Sequence, residues 1–118
     1  MEVEIGPGTG TFLRHEATRR PHTNFFAVEA SRSRAQRLAT LIEKLALPNV
    51  RVLHAPAQCA VRLTPNESVT AYHIYFPDPW WKRRHHKRRL FSGEFAQELV
   101  RTLSRDGRVY VATDVFLV

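Results

Sequence analysis

Apolar positions along the chain fall into short runs with strand-like character, separated by stretches with helical spacing. Val3-Glu4-Ile5 reads as a strand entering a glycine-rich turn. Thr9 to Arg19 predicts a helix with Phe12, Leu13 and Ala17 inward, stopped by Pro21. Asn24 to Val28 is a second strand. Ser31 opens a second helix whose inward positions are Ala35, Leu38, Ala39, Ile42 and Leu45, and Pro48-Asn49 ends it. Val50 to His54 is a third strand, Ala57 to Leu63 a short helix, and Pro65-Asn66 a turn. Val69 to Phe76 reads as a fourth, largely buried strand. Ser92 can cap a helix running to about Leu103, with Phe95, Leu99 and Leu103 on one face. Asp106-Gly107 then turns the chain into a fifth strand, Arg108 to Thr113.

Strand and helix alternating in this way predict an α/β fold, a doubly wound and mostly parallel sheet with right-handed crossovers. Such sheets bind ligands beyond the carboxyl ends of their strands. The glycine turn follows strand one, Glu29 ends strand two, Asp78 follows strand four and Asp114 follows strand five. Every polar residue at a strand end that suits chemistry therefore falls on one rim.

A length of 118 residues allows one domain, taken as 1–118. A hydrophobic fraction of 43% supplies a core. No apolar run approaches the roughly 20 residues of a membrane helix, and the first residues do not read as a secretory signal, so the expected location is cytoplasmic, with no membrane partner. The single cysteine, Cys59, excludes a disulfide within the chain and a Cys-based zinc cluster. It is expected as a small core residue. Between Lys82 and Arg89, six of eight residues are Lys or Arg, and without them the net charge of +7 would fall to about +1. The basic excess is thus local and suits a polyanion; the aromatic residues just before it favour nucleic acid.

Two constellations carry candidate chemistry. The first is Gly6-Pro7-Gly8-Thr9-Gly10 with Glu29, which lies 19 residues after Gly10. Glycines permit tight turning and close ligand approach, a helix N-terminus offers free N–H groups, and an acid about 20 residues on suits a ribose diol. Together they point to a nucleoside-containing cofactor. For Glu4, the alternative to a functional role is a water-exposed position beside Glu2 on one strand face. The second is Phe76-Pro77-Asp78-Pro79-Trp80-Trp81, which leads into the basic run. Its prolines fix φ and stiffen the approach. Trp80 and Trp81 offer either a stacking face for a base or packing between loop and sheet. His85 and His86 are adjacent and would point to opposite faces of a strand, which favours a phosphate contact or loop packing over a metal; no metal is expected. His15, His22, His54 and His73 are isolated and carry no expected role.

Glu4-Ile5-Gly6-x-Gly8-x-Gly10 resembles the first motif of S-adenosylmethionine-dependent methyltransferases. Phe76-Pro77-Asp78-Pro79-Trp80-x-Lys82-x-Arg84-His85-x-Lys87-Arg88-Arg89 resembles the signature of tRNA (guanine-N7)-methyltransferases, and Thr113-Asp114 resembles the pair that follows strand five there. The resemblance implies S-adenosyl-L-methionine as cofactor, tRNA as partner, and methylation of a guanosine in the variable loop. It implies cofactor contacts at Glu4, Gly6, Gly8, Gly10 and Glu29 and a central catalytic role for Asp78. RNA or substrate contacts fall at Lys82, Arg84, His85, His86, Lys87, Arg88, Arg89 and Asp114. Pro56 stands where that family usually has an Asp, and Trp81 where it commonly has a Pro. The family also has residues before strand one and a stretch after strand five, so the chain is expected to be a catalytic-domain piece. A strand-five edge left open in such a piece is expected to self-associate. The alternative function is a weakly active or non-catalytic tRNA-binding remnant.

Overall fold

A computed structural model of the chain describes residues 1–75 and 93–112. The expectations placed on 76–92 and 113–118, including Asp78, Trp80, Trp81, the basic run from Lys82 to Arg89, the Ser92 cap and Asp114, lie outside the described residues. The elements are β1 (Glu2–Ile5), α1 (Thr11–Arg19), β2 (Phe25–Glu29), α2 (Arg32–Lys44), β3 (Val50–His54), α3 (Ala57–Arg62), β4 (Val69–Tyr75), α4 (Gly93–Thr102) and β5 (Leu103–Ala112). The strands form one sheet in the order β3-β2-β1-β4-β5, and every described pairing is parallel. The order turns back on either side of β1, so the cleft between β1 and β4 is the topological switch point at which such sheets bind ligands.

The two faces of the sheet are covered by different helices. Val3, Ile5, Tyr72 and Ile74 pack with Ala60 and Val61 of α3 and with Phe95 and Leu99 of α4. Phe25, Ala27 and Val50 pack with Leu13 and Ala17 of α1 and with Leu38 and Ile42 of α2. Strand residues alternate between faces. The pairings Glu2↔Ala71 and Glu4↔His73 therefore put Glu2, Glu4, His73 and Tyr75 together on the α1–α2 side. Ser31 caps α2, its hydroxyl oxygen accepting from the Arg34 N–H at 3.4 Å. Asn49 fastens the loop between α1 and β2. Its amide nitrogen donates to the carbonyls of Ala17, Arg20 and Thr23 at 2.9–3.2 Å.

Several expectations change on inspection of the fold. The inward stripe of α2 is Ala35, Leu38 and Ile42; Ala39 and Leu45 are exposed, because the helix meets only one sheet face and its last turn runs past it. Cys59 is exposed rather than in the core: in α3 it is the neighbouring Ala60 and Val61 that face the sheet. The fifth strand starts at Leu103, directly after α4, and Asp106-Gly107 lies inside it. Val69 pairs with Leu103 but Ala71 already pairs with Arg108, so the intervening residues bulge out of the ladder. The turn signal was real, and the sheet accommodates it as an irregularity within the strand.

Among the described residues β5 is an edge strand, with Val109, Tyr110 and Val111 exposed. An apolar edge with unpaired backbone groups is a template for a second chain. The sedimentation coefficient of the 118-residue chain is expected to rise with concentration, and replacing Val109 and Val111 by Lys is expected to reduce that rise. A monodisperse monomer across the range would rule out association through this edge.

Candidate functional site

The turn after β1 is built from backbone conformations that only glycine adopts without strain. Gly6, Gly8 and Gly10 have φ of 72°, 58° and 81°. The Gly6 N–H donates to the Val28 carbonyl at 2.9 Å and the Gly10 N–H to that of Pro7 at 2.9 Å, closing the turn onto β2 and onto itself. A Cβ on Gly6 or Gly8 would meet nothing within 4 Å, so the turn borders open space. Gly10 differs, since a Cβ there would lie 2.5 Å from Leu38 Cδ1. Gly10 is also the N-cap of α1 and supplies no side-chain cap. The N–H groups of the first helical turn are therefore without a side-chain acceptor at the cap, an arrangement that suits a carboxylate or phosphate.

Glu4 sits one residue before Ile5 and the turn. It is 3% exposed, which sets aside the alternative of a solvent-facing strand residue: α1 lies over this face of the sheet, with Phe12 packed on His73. Its Oε1 is buried and has no hydrogen-bond partner among the described residues. Burial pushes its carboxyl up to about 7. A buried, unpartnered carboxyl oxygen beneath a glycine turn fits a cationic or hydrogen-bond-donating ligand group. Glu29, at the end of β2, is likewise buried, and its Oε2 accepts from the Ser31 N–H at 2.8 Å. That bond fixes the carboxylate at the start of α2. The structure thus brings together, on one rim, the glycine turn, Glu4 and Glu29. Pro56 follows β3 on the same rim as the N-cap of α3, with φ −62° and no side-chain acceptor to offer.

A second group of side chains went unnoticed in the sequence. Arg20 grips Glu2 with two bonds, Nη1 to Oε2 at 2.6 Å and Nη2 to Oε1 at 3.0 Å. His73 Nε2 lies 2.7 Å from Glu2 Oε1, and His73 Nδ1 lies 2.6 Å from the Tyr75 hydroxyl. Burial pushes the Glu2 carboxyl up, but the bonds from Arg20 and His73 outweigh it and hold the group below the usual carboxylate range. Glu2 is therefore ionised and acts only as an acceptor. When the ring carries a single proton, the acceptor-only Glu2 places it on Nε2, which leaves Nδ1 to accept from the Tyr75 hydroxyl. Phe12, in the first turn of α1, packs against both rings at 4.7 and 4.9 Å, and Tyr110 stacks on His73 at 5.4 Å. The signal for this cluster was the two-residue period of β1 and β4. It becomes readable only once the two strands are known to be neighbours in this register.

A protein-family model described as "Putative methyltransferase" matches residues 1–118. A tRNA (guanine-N(7)-)-methyltransferase of Rhodopirellula baltica is 36% identical over 121 residues, which cover 98% of this chain and 45% of that protein. A protein of the same name from Geobacter metallireducens is 40% identical over 115 residues, with 97% and 54% covered. The chain thus spans about half the length of the curated relatives it matches. Among solved structures, a SAM-dependent methyltransferase from Aquifex aeolicus superposes with a TM-score of 0.72 at 17% identity. The match covers 93% of this chain and 54% of that one. A coclaurine N-methyltransferase bound to N-methylheliamine and SAH superposes with a TM-score of 0.71 at 16% identity, over 93% of this chain and 29% of that one. At these identities the structural likeness speaks for the fold.

Proposed function

The chain belongs to the methyltransferase family whose model it matches over residues 1–118, and from that premise we propose that it is the catalytic core of an enzyme methylating N7 of a guanosine in the tRNA variable loop, with S-adenosyl-L-methionine as methyl donor. The observation that carries the cofactor is the orphaned Oε1 of Glu4 beneath the glycine turn. A ligand whose amino-acid moiety carries an ammonium and a carboxylate on one carbon matches a buried acid beside an uncapped helix N-terminus. Glu29 suits the ribose hydroxyls, since one of its oxygens is already anchored to Ser31 and the carboxylate is held still. The tRNA substrate rests on the names of the relatives and on the sequence from Phe76 to Arg89. The enzyme would act where tRNA is processed, in the cytoplasm. No helix among the described residues is long and apolar enough to cross a membrane.

The cofactor supplies an activated methyl group on a sulfonium. Guanine N7 carries a lone pair in the plane of the base, so it could take a methyl group from a bound sulfonium, which would leave as a neutral thioether, with no proton removed first. The chain's task is to hold two molecules in line. Glu4, the glycine turn and Glu29 hold one of them. Asp78, next to the rim in sequence, stabilises positive charge developing on the base. Lys82, Arg84, His85, His86, Lys87, Arg88, Arg89 and Asp114 engage the RNA.

The decisive experiment incubates the chain with methyl-labelled S-adenosylmethionine and unmodified tRNA and maps the label. Transfer to N7 of a variable-loop guanosine is expected; label at another atom or another loop would refute the assignment. If the chain retains tRNA without transferring label, the remnant reading gains, and Pro56 at the end of β3 is the observation that favours it. The cofactor site is checked separately by calorimetry. Glu29→Ala is expected to weaken S-adenosylhomocysteine binding by about 1–3 kcal/mol, the scale of lost hydrogen bonds to a charged group. Unchanged affinity would remove Glu29 from the site.

A further inference from the structure

We propose that Tyr75 is a binding residue for the methyl donor: its hydroxyl oxygen, oriented by Glu2 and His73, accepts a hydrogen bond from the ammonium group of the donor's amino-acid moiety. The assignment rests on the methyltransferase reading above and adds to it a residue, a ligand atom and the side chains that orient the residue.

The direction of the bonds carries the argument. Glu2, ionised and gripped by Arg20, can only accept, so in a His73 ring with a single proton it fixes that proton on Nε2. His73 Nδ1 then accepts a hydrogen bond from the Tyr75 hydroxyl at 2.6 Å. A phenol whose proton is committed in this way has only lone pairs left to present, so it serves a donor and rejects an acceptor. Burial, with the Glu4 charge adding to it, raises the Tyr75 phenol above its ordinary range, so the hydroxyl stays protonated and the chain of bonds stays intact at neutral pH.

Position selects the ligand. Tyr75 is the last residue of β4, half-buried, at the carboxyl rim. Glu4 pairs with His73 across the strands, so Tyr75 lies one repeat further along the same face, toward the glycine turn. Its ring packs on Phe12, in the first turn of the helix that the glycine turn opens. Two acceptors, the orphaned Glu4 oxygen and the Tyr75 oxygen, thus border the β1–β4 cleft from its two walls. An ammonium offers three N–H donors and can satisfy both at once. The sulfonium has no N–H or O–H to give. His73, Glu2 and Arg20 touch no ligand in this scheme. They are positioning residues, acting by holding the Tyr75 hydroxyl in one orientation.

The test compares wild type with Tyr75→Phe by calorimetry, using three probes. S-adenosylmethionine and S-adenosylhomocysteine both carry the ammonium, and 5′-methylthioadenosine lacks the amine and the carboxylate. The variant is expected to bind the first two about tenfold more weakly, the scale of one hydrogen bond to a charged group, and the third as the wild type does. His73→Asn, which removes the ring that holds the hydroxyl, is expected to show the same selective loss and serves if the first variant does not fold. Equal affinity of wild type and variants for all three probes overturns the proposal. So does an equal loss for all three, which would mark a general distortion, or a loss for S-adenosylmethionine alone, which would move the contact to the sulfonium. If the wild type binds none of the probes, the methyltransferase reading fails and this assignment with it. If the wild type binds and only the selectivity is missing, Tyr75 alone is at fault.

Discussion

Asp78→Asn is expected to slow methyl transfer at least roughly a hundredfold, while the chain keeps its melting temperature and its affinity for S-adenosylhomocysteine. The substitution keeps the shape of the side chain and removes its charge. In the proposed reaction guanine N7 attacks without losing a proton, so a carboxylate beside it would have no base work to do. What it can offer is a fixed negative charge where positive charge grows on the ring. Removing one preorganised electrostatic group costs about 2.7–4 kcal/mol of activation free energy, or two to three powers of ten in rate. Single-turnover rates with labelled cofactor measure the effect free of product release. A variant that transfers methyl at close to the wild-type rate would reduce Asp78 to a residue that shapes its loop. Loss of cofactor affinity in step with rate would place it in the cofactor site instead.

The second large effect concerns stability. Glu4→Gln is expected to stabilise the chain relative to wild type at pH 8 and to leave it nearly unchanged at pH 4. The folded Glu4 carboxyl titrates at about 7 and the unfolded one at 4.5. Between those values the folded state holds a proton that the unfolded state has released. Stability therefore falls as pH rises through this window and is level above it. The full difference is on the order of 3 kcal/mol. Glu2 and Glu16, both held below the usual carboxylate range, work in the opposite sense. Their contribution is present at neutral pH and lost as the solution turns acid. It is common to both proteins and cancels in the comparison. Urea denaturation across the pH range measures the difference directly. A constant difference from pH 4 to pH 8 would mean that Glu4 is solvated or paired and that its burial has no electrostatic cost.

The order of elements was readable from the chain because each apolar run has a clear period and each break has a named cause, such as Pro21 or Pro48-Asn49. The rim was readable for the glycine turn and Glu29, since it follows from where the strands end; Asp78 and Asp114 lie outside the described residues. What could not be read was which strands are neighbours. Glu2, His73 and Tyr75 are far apart in sequence, and each looks like an ordinary strand residue when taken alone. Their meeting depends on β1 lying beside β4 in one register. The same gap explains Glu4. Two acids at alternate positions suggest a wet face, and only the packing of α1 over this face of the sheet shows it to be dry. Cys59 failed for a related reason: in a helix of six residues, period alone does not decide which neighbours face the sheet.

The close approach of Gly10 to Leu38 joins two parts of the cleft that are remote along the backbone. Leu38 belongs to α2, and the backbone at the start of α2 holds the Glu29 carboxylate. The glycine turn and Glu29 therefore rest against the middle and the start of one helix. A change in the volume of Leu38, deep in the hydrophobic interior, would shift the distance between them. Ligand affinity in this fold is thus exposed to interior substitutions that never touch the ligand. Variants at Leu38 offer a graded way to tune that affinity without altering any group that contacts it.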